Sequence, residues 1–169
     1  NLTGARLDKA ILYEAKLMQT ILIETSFVGA ELQSVDLRSA NMYQTNLQKS
    51  SIWNANFIGA KLNGASLAGA NIQNTNLSNT DLSDANVKNL LLLNVHGIRA
   101  DEMADFQRFG AITSLNQLRE MSKNNSNLES INFNRMQFLK NILDTHQIYL
   151  WGYIYFFLFW FFNLVPMPI

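Results

Sequence analysis

The chain has 169 residues, no cysteine, 48% hydrophobic residues, and 13 basic against 13 acidic side chains. The missing cysteines exclude disulfides and thiolate metal sites and leave the redox compartment open. The balanced charge hides three unlike stretches: residues 1–96 carry seven acids and seven bases, 97–147 carry six of each, and Thr145 to Ile169 contains no Asp, Glu, Lys or Arg. Neither neutral stretch has the basic surplus of a nucleic-acid binder or the acidic surplus of a DNA mimic.

From Leu2 to Leu92 every fifth residue is large and apolar, nineteen positions of which thirteen are Leu. Two residues earlier in each repeat, from Ala5 to Ala85, stand ten Ala, five Thr, one Ser and one Val. On an α-helix five residues advance by about 500°, so each Leu would land about 140° from the last and nothing would be buried. On a flat strand an odd period sends successive leucines to opposite faces. Both positions face one interior only if the chain turns a corner in every pentapeptide. Four corners of about 90° then close one coil, and coils stack as parallel strands about 4.8 Å apart. Alternating small and large inward residues fit the narrow axis. Gly4, Gly29, Gly59, Gly64 and Gly69 all fall at the corners.

The segments Ala40-Asn41-Met42, Ala55-Asn56-Phe57, Ala70-Asn71-Ile72, Thr80-Asp81-Leu82 and Ala85-Asn86-Val87 follow the pattern Ala-(Asp/Asn)-Leu-x-x. Over residues 1–95 the chain therefore resembles the pentapeptide repeat proteins. The resemblance implies an all-β, right-handed quadrilateral β-helix of about five coils, a rod about 20–25 Å long. The early repeats depart from the pattern, with Ile11, Ile21 and Glu31 where Asp or Asn is usual. Leu90 occupies a small-residue position, so regular coiling is expected to end near it. Asn1-Leu2-Thr3-Gly4 reads as the last four-fifths of a repeat, and the expectation is that further coils or a cap lie upstream.

Helical signals replace the period over 96–126, a helical and loop connector. Ala100 to Phe109 places Met103 and Phe106 on one side, and Ser114-Leu115-Asn116-Gln117 reads as a capping box opening a short helix through Met121. Residues 127–147 read as an amphipathic helix capped by Ser126 and Glu129, with Leu128, Ile131, Phe138, Leu139, Ile142 and Leu143 on one stripe. Ser126-Asn127-Leu128 and Ile131-Asn132-Phe133 also mimic two repeats in shifted frame. The last segment, 148–169, is expected to be a transmembrane helix and short tail. Ile148 to Val165 is uncharged and includes Trp151, Tyr155, Leu158, Trp160 and Phe162. Eighteen helical residues span about 27 Å, close to a hydrocarbon core. Arg135, Lys140 and His146 precede the span, which puts the repeats on the cytoplasmic or equivalent side. A soluble dimerisation helix is the rival reading, but the segment has no polar face.

No catalytic constellation, phosphate loop or metal-ligand cluster is patterned, so an enzyme is not expected. His96 reads as a surface or capping residue. His146 is the one cofactor candidate, a histidine at the membrane edge that could ligate a pigment magnesium, against its plainer reading as a surface residue. Asn163 is either a hydrogen-bonding residue within the span or a residue near its far interface. Tyr43 and Trp53 point outward in the repeat register as candidate docking residues, with Tyr13 one corner away. The expected function is a structural subunit, anchored in the lipid bilayer and docking onto a membrane protein complex, with no nucleic-acid partner. Since the resembled family abounds in cyanobacteria and thylakoids, the resemblance implies a photosynthetic or other bioenergetic assembly, in a thylakoid or bacterial inner membrane. The alternatives are a regulatory domain of a multi-span transporter or channel, and a topoisomerase-protecting DNA mimic, which seven acids against seven bases argue against.

Overall fold

The computed structural model describes residues 1–117. Within them the chain winds into a β-helix whose repeat in space is twenty residues, four pentapeptides per coil. Parallel bridges join one residue of each pentapeptide to the one twenty positions on, from Arg6 with Ser26 to Asn76 with His96. Four stacks result. The first face carries Arg6, Ser26, Asn46, Ser66 and Asn86; the second Ile11, Glu31, Ser51, Asn71 and Leu91; the third Lys16, Asp36, Asn56, Asn76 and His96; the fourth Ile21, Asn41, Lys61 and Asp81. On the second face pairing extends into three short strands, β1 Ser51–Trp53, β2 Asn71–Gln73 and β3 Leu91–Leu93, parallel in the order β1-β2-β3.

One pentapeptide shows why the sequence takes this form. The N–H of Asn56 donates to Val35 O one coil back, those of Phe57 and Gly59 to Asn76 O and Ser78 O one coil on, and that of Ala60 to Phe57 O across the corner. Ile58 N–H faces outward with no coil partner, and the Asn56 side-chain oxygen accepts it at 3.1 Å. The same bond recurs from Gln48, Ser78, Ser83 and Lys88 N–H to Asn46, Asn76, Asp81 and Asn86. In these repeats Asp or Asn before the large residue thus satisfies the fifth donor.

Every fifth residue from Gly4 to Asn94 has a φ between 49° and 68°. Only five of these are glycine; Lys9, Glu14, Gln44, Ser39 and ten others hold the same left-handed conformation at the third residue of each corner, as a type II turn requires. The coil bonds on both sides hold these non-glycine residues there.

Inward side chains from Leu22 to Leu92 form one continuous core. Thr fits the small position because its hydroxyl reaches a main-chain carbonyl, as Thr45 Oγ1 does to Leu22 O at 2.9 Å. Ala60 is 1% exposed between Phe57 and Leu62. Ala60→Leu should therefore overpack the axis and cost about 1–3 kcal/mol, read as a lowered melting temperature. An unchanged melting temperature would place residue 60 outside the core.

Coiling does not stop at Leu90. Leu90 is buried, β3 follows it, and His96 still bonds Thr75 O and Leu77 N–H. Among the described residues no further regular coil follows; residues 110–112 lie on this last one instead, Ile112 N–H donating to Leu90 O. Gly97, with φ +87°, then turns the chain off the rod. The helix α1 (Ala100–Arg108) follows, its Met103 and Phe106 packed against the core. Glu102 accepts from Arg99 N–H at the start of α1, and Asp101, Glu102 and Arg108 match the helix dipole. Beyond it Ile112 returns to pair with Leu91 on the second face. Ser114 and Gln117 exchange reciprocal bonds, Ser114 N–H to Gln117 Oε1 at 3.1 Å and Gln117 N–H to Ser114 Oγ at 3.2 Å, opening a helical turn at 115–117.

Among the described residues no helix is long and apolar enough to cross a membrane. The expected amphipathic helix 127–147, the shifted-frame repeats, His146, Asn163 and the span with Ile148, Trp151, Tyr155, Leu158, Trp160, Phe162 and Val165 lie outside the described residues.

Candidate interaction faces

From Leu22 to Ile72 the inward side chains are buried in one continuous core. Among Phe57, Leu67, Leu77, Val87 and Phe106 lies a void of about 10 Å³, at the lower limit for one water molecule. Any chemistry the repeats offer a partner is therefore on the outside, where side chains stack in columns twenty residues apart.

That spacing separates the two candidate docking residues. Tyr43 and Trp53 are ten residues apart, half a coil, so they stand on opposite faces. Tyr43, 40% exposed, lies on the fourth face with Ile23 in its own column and Ile21 (41% exposed) beside it. Trp53 is half-buried on the second face. Tyr13 is not a corner away from it but in the same column two coils earlier, donating its hydroxyl to Glu31. Outward residues on this face are covered further along: Asn71, Gln73, Leu91 and Leu93 are all buried. Gln73 Nε2 donates to Asn71 Oδ1 at 2.7 Å.

His96 ends the third face, exposed, with its backbone in the coil ladder. Among the described residues no three histidines or carboxylates are gathered as a metal site.

Charged groups of the first, third and fourth faces tie neighbouring residues together. Ser26 stands where Asn is usual and does not accept from Val28 N–H; Asp8, one coil away, accepts from both Val28 N–H at 3.1 Å and the Ser26 hydroxyl. The Ser26 bond, with Arg6 next, holds the Asp8 carboxyl below its ordinary range. The bond from the Arg38 guanidinium lowers Asp36, and that from the Ser83 hydroxyl lowers Asp81. Each carboxylate is thus more acidic folded than unfolded, so its stabilisation is present above the unfolded value and is lost as the pH falls through the folded one. The melting temperature should decline below about pH 4, modestly, because all three groups face solvent. Asp36→Asn with Asp81→Asn keeps both backbone acceptors and should flatten that acid limb; an unaltered limb would locate the acid sensitivity elsewhere.

The family model for pentapeptide repeats matches residues 22–54 and 54–89, in eight copies. No curated protein matches the chain. Among solved structures, the chain is similar to the pentapeptide repeat protein Rfr23 from the cyanobacterium Cyanothece 51142, at 37% identity over 49% of this chain and 56% of that one, TM-score 0.49. It is also similar to a pentapeptide repeat protein of the Arabidopsis thaliana thylakoid lumen, at 21% identity over 66% and 78%, TM-score 0.45. A third is QnrB1, a plasmid-mediated fluoroquinolone resistance protein, at 15% identity over 72% and 71%, TM-score 0.40. The match spans little more than half the length of Rfr23.

Proposed function

We propose that the chain, whose residues 22–89 match the family model for pentapeptide repeats, is a non-enzymatic interaction scaffold, tethered to a membrane and docking onto a membrane protein complex through the outside of its rod. The observation that carries this reading is the packed interior, which leaves the outside of the rod for recognition. Of the two docking candidates Tyr43 is the exposed one, and with Ile21 and Ile23 it makes the fourth face apolar at its early coils. The tether is the uncharged stretch 148–165, long enough as a helix to cross the hydrocarbon core. A photosynthetic or other bioenergetic complex is the class of partner this likeness to the family favours. Alkaline carbonate washing of native membranes tests the tether. Retention in the pellet is expected; recovery in the wash would remove the membrane from the proposal.

A further inference from the structure

The core is covered unevenly where the rod closes. Thr80, Leu82 and Ala85 hold the same inward register as Ala60, Leu62 and Ala65 one coil earlier, which are at most 1% exposed. Yet all three are partly exposed. Beside them Phe106 packs against the core, while Phe109, just past α1, is 66% exposed. Between the last coil and α1 lies an open cleft of about 520 Å³. Its floor is Leu82, Ala85 and Phe106; its walls carry Asp81, Asp84, Glu102 and Asp105, and no basic side chain lines it. Glu102 and Asp105 pair with Arg99 and Arg108, whereas neither Asp81 nor Asp84 makes an ion pair with a described residue.

We propose that this cleft is a docking groove for a cationic amphipathic segment of a partner protein, a stretch in which Lys or Arg flanks a large apolar side chain. The proposal rests on the scaffold reading and names the chemistry one docking site recognises. An apolar side chain seated on Leu82 and Ala85 completes the burial that α1 leaves unfinished. Flanking cations offset the desolvation of Asp81 and Asp84. An acidic segment meets the unpaired Asp81 and Asp84, and a purely apolar one leaves them facing hydrocarbon.

The test uses the isotope-labelled full chain in detergent micelles, titrated with a Leu/Lys peptide of about a dozen residues and with its Leu/Glu counterpart. The Leu/Lys peptide should shift backbone amides within 80–85 and 100–110, with affinity falling about tenfold as salt rises from about 50 to about 300 mM. The Leu/Glu peptide should leave them in place. Asp84→Lys with Phe109→Ser should weaken binding about tenfold; lysine is tolerated at such a corner, as Lys9 and Lys49 show. Equal shifts from both peptides, or no shifts in these segments, would overturn the groove. So would shifts that grow with protein concentration alone, which would identify a second copy as the occupant. If the groove fails while the chain still travels with a membrane complex, the scaffold reading stands and docking uses another face.

Discussion

Gly97→Ala is expected to destabilise the closing end of the rod by about 2–5 kcal/mol. Two costs add. A residue with a Cβ pays about 1–2 kcal/mol to hold a left-handed conformation, and Gly97 has φ +87°. The new Cβ would also lie 2.3 Å from both Ser78 Cα and Ser78 N, main-chain atoms that move only if the last coil shifts, an overpacking of about 1–3 kcal/mol. Gly69→Ala is the matched control. It has a positive φ of +67°, but its Cβ would meet only Lys49 Cγ, at 3.7 Å. Urea unfolding should therefore give Gly97→Ala a clearly lower midpoint than Gly69→Ala. Equal midpoints would mean that the close approach to Ser78 does not constrain the fold.

Leu158→Lys with Phe159→Lys is expected to release the protein from membranes. Each charge near the middle of a span costs about 2.5–3.5 kcal/mol, so the pair removes about 5–7 kcal/mol of insertion free energy. After alkaline washing the double variant should appear in the supernatant and the parent chain in the pellet. A double variant that still sediments would place the anchor elsewhere or attribute attachment to a partner.

How much of this was legible in the sequence depends on the range of the determinant. The inward columns were readable because a large apolar residue every fifth position excludes helix and flat strand alike. The Asp or Asn before it was readable as a pattern, though its work, accepting the one N–H that the coil leaves free, appears only when the donors are counted in space. The corners were read from five glycines, while Lys, Glu, Gln and Ser hold the same φ unannounced, because coil bonds rather than residue type impose it. Tyr43 and Trp53 look equivalent modulo five and are opposite modulo twenty; the period of the pattern is not the period of the coil. Gly97 sits in the slot where the series would place its next large residue, so it read as the repeat lapsing rather than as the turn that brings α1 across the end. The cleft beside Leu82 was invisible, since it arises from how far α1 reaches across the core.

The most direct test of a membrane-tethered docking scaffold is mild-detergent solubilisation of native membranes, followed by native-gel separation and mass spectrometry of the band containing this chain. Co-migration with a large membrane complex is the expected result, and the other subunits in the band would name the partner. Recovery of the chain in the soluble fraction, or its migration alone, would contradict it.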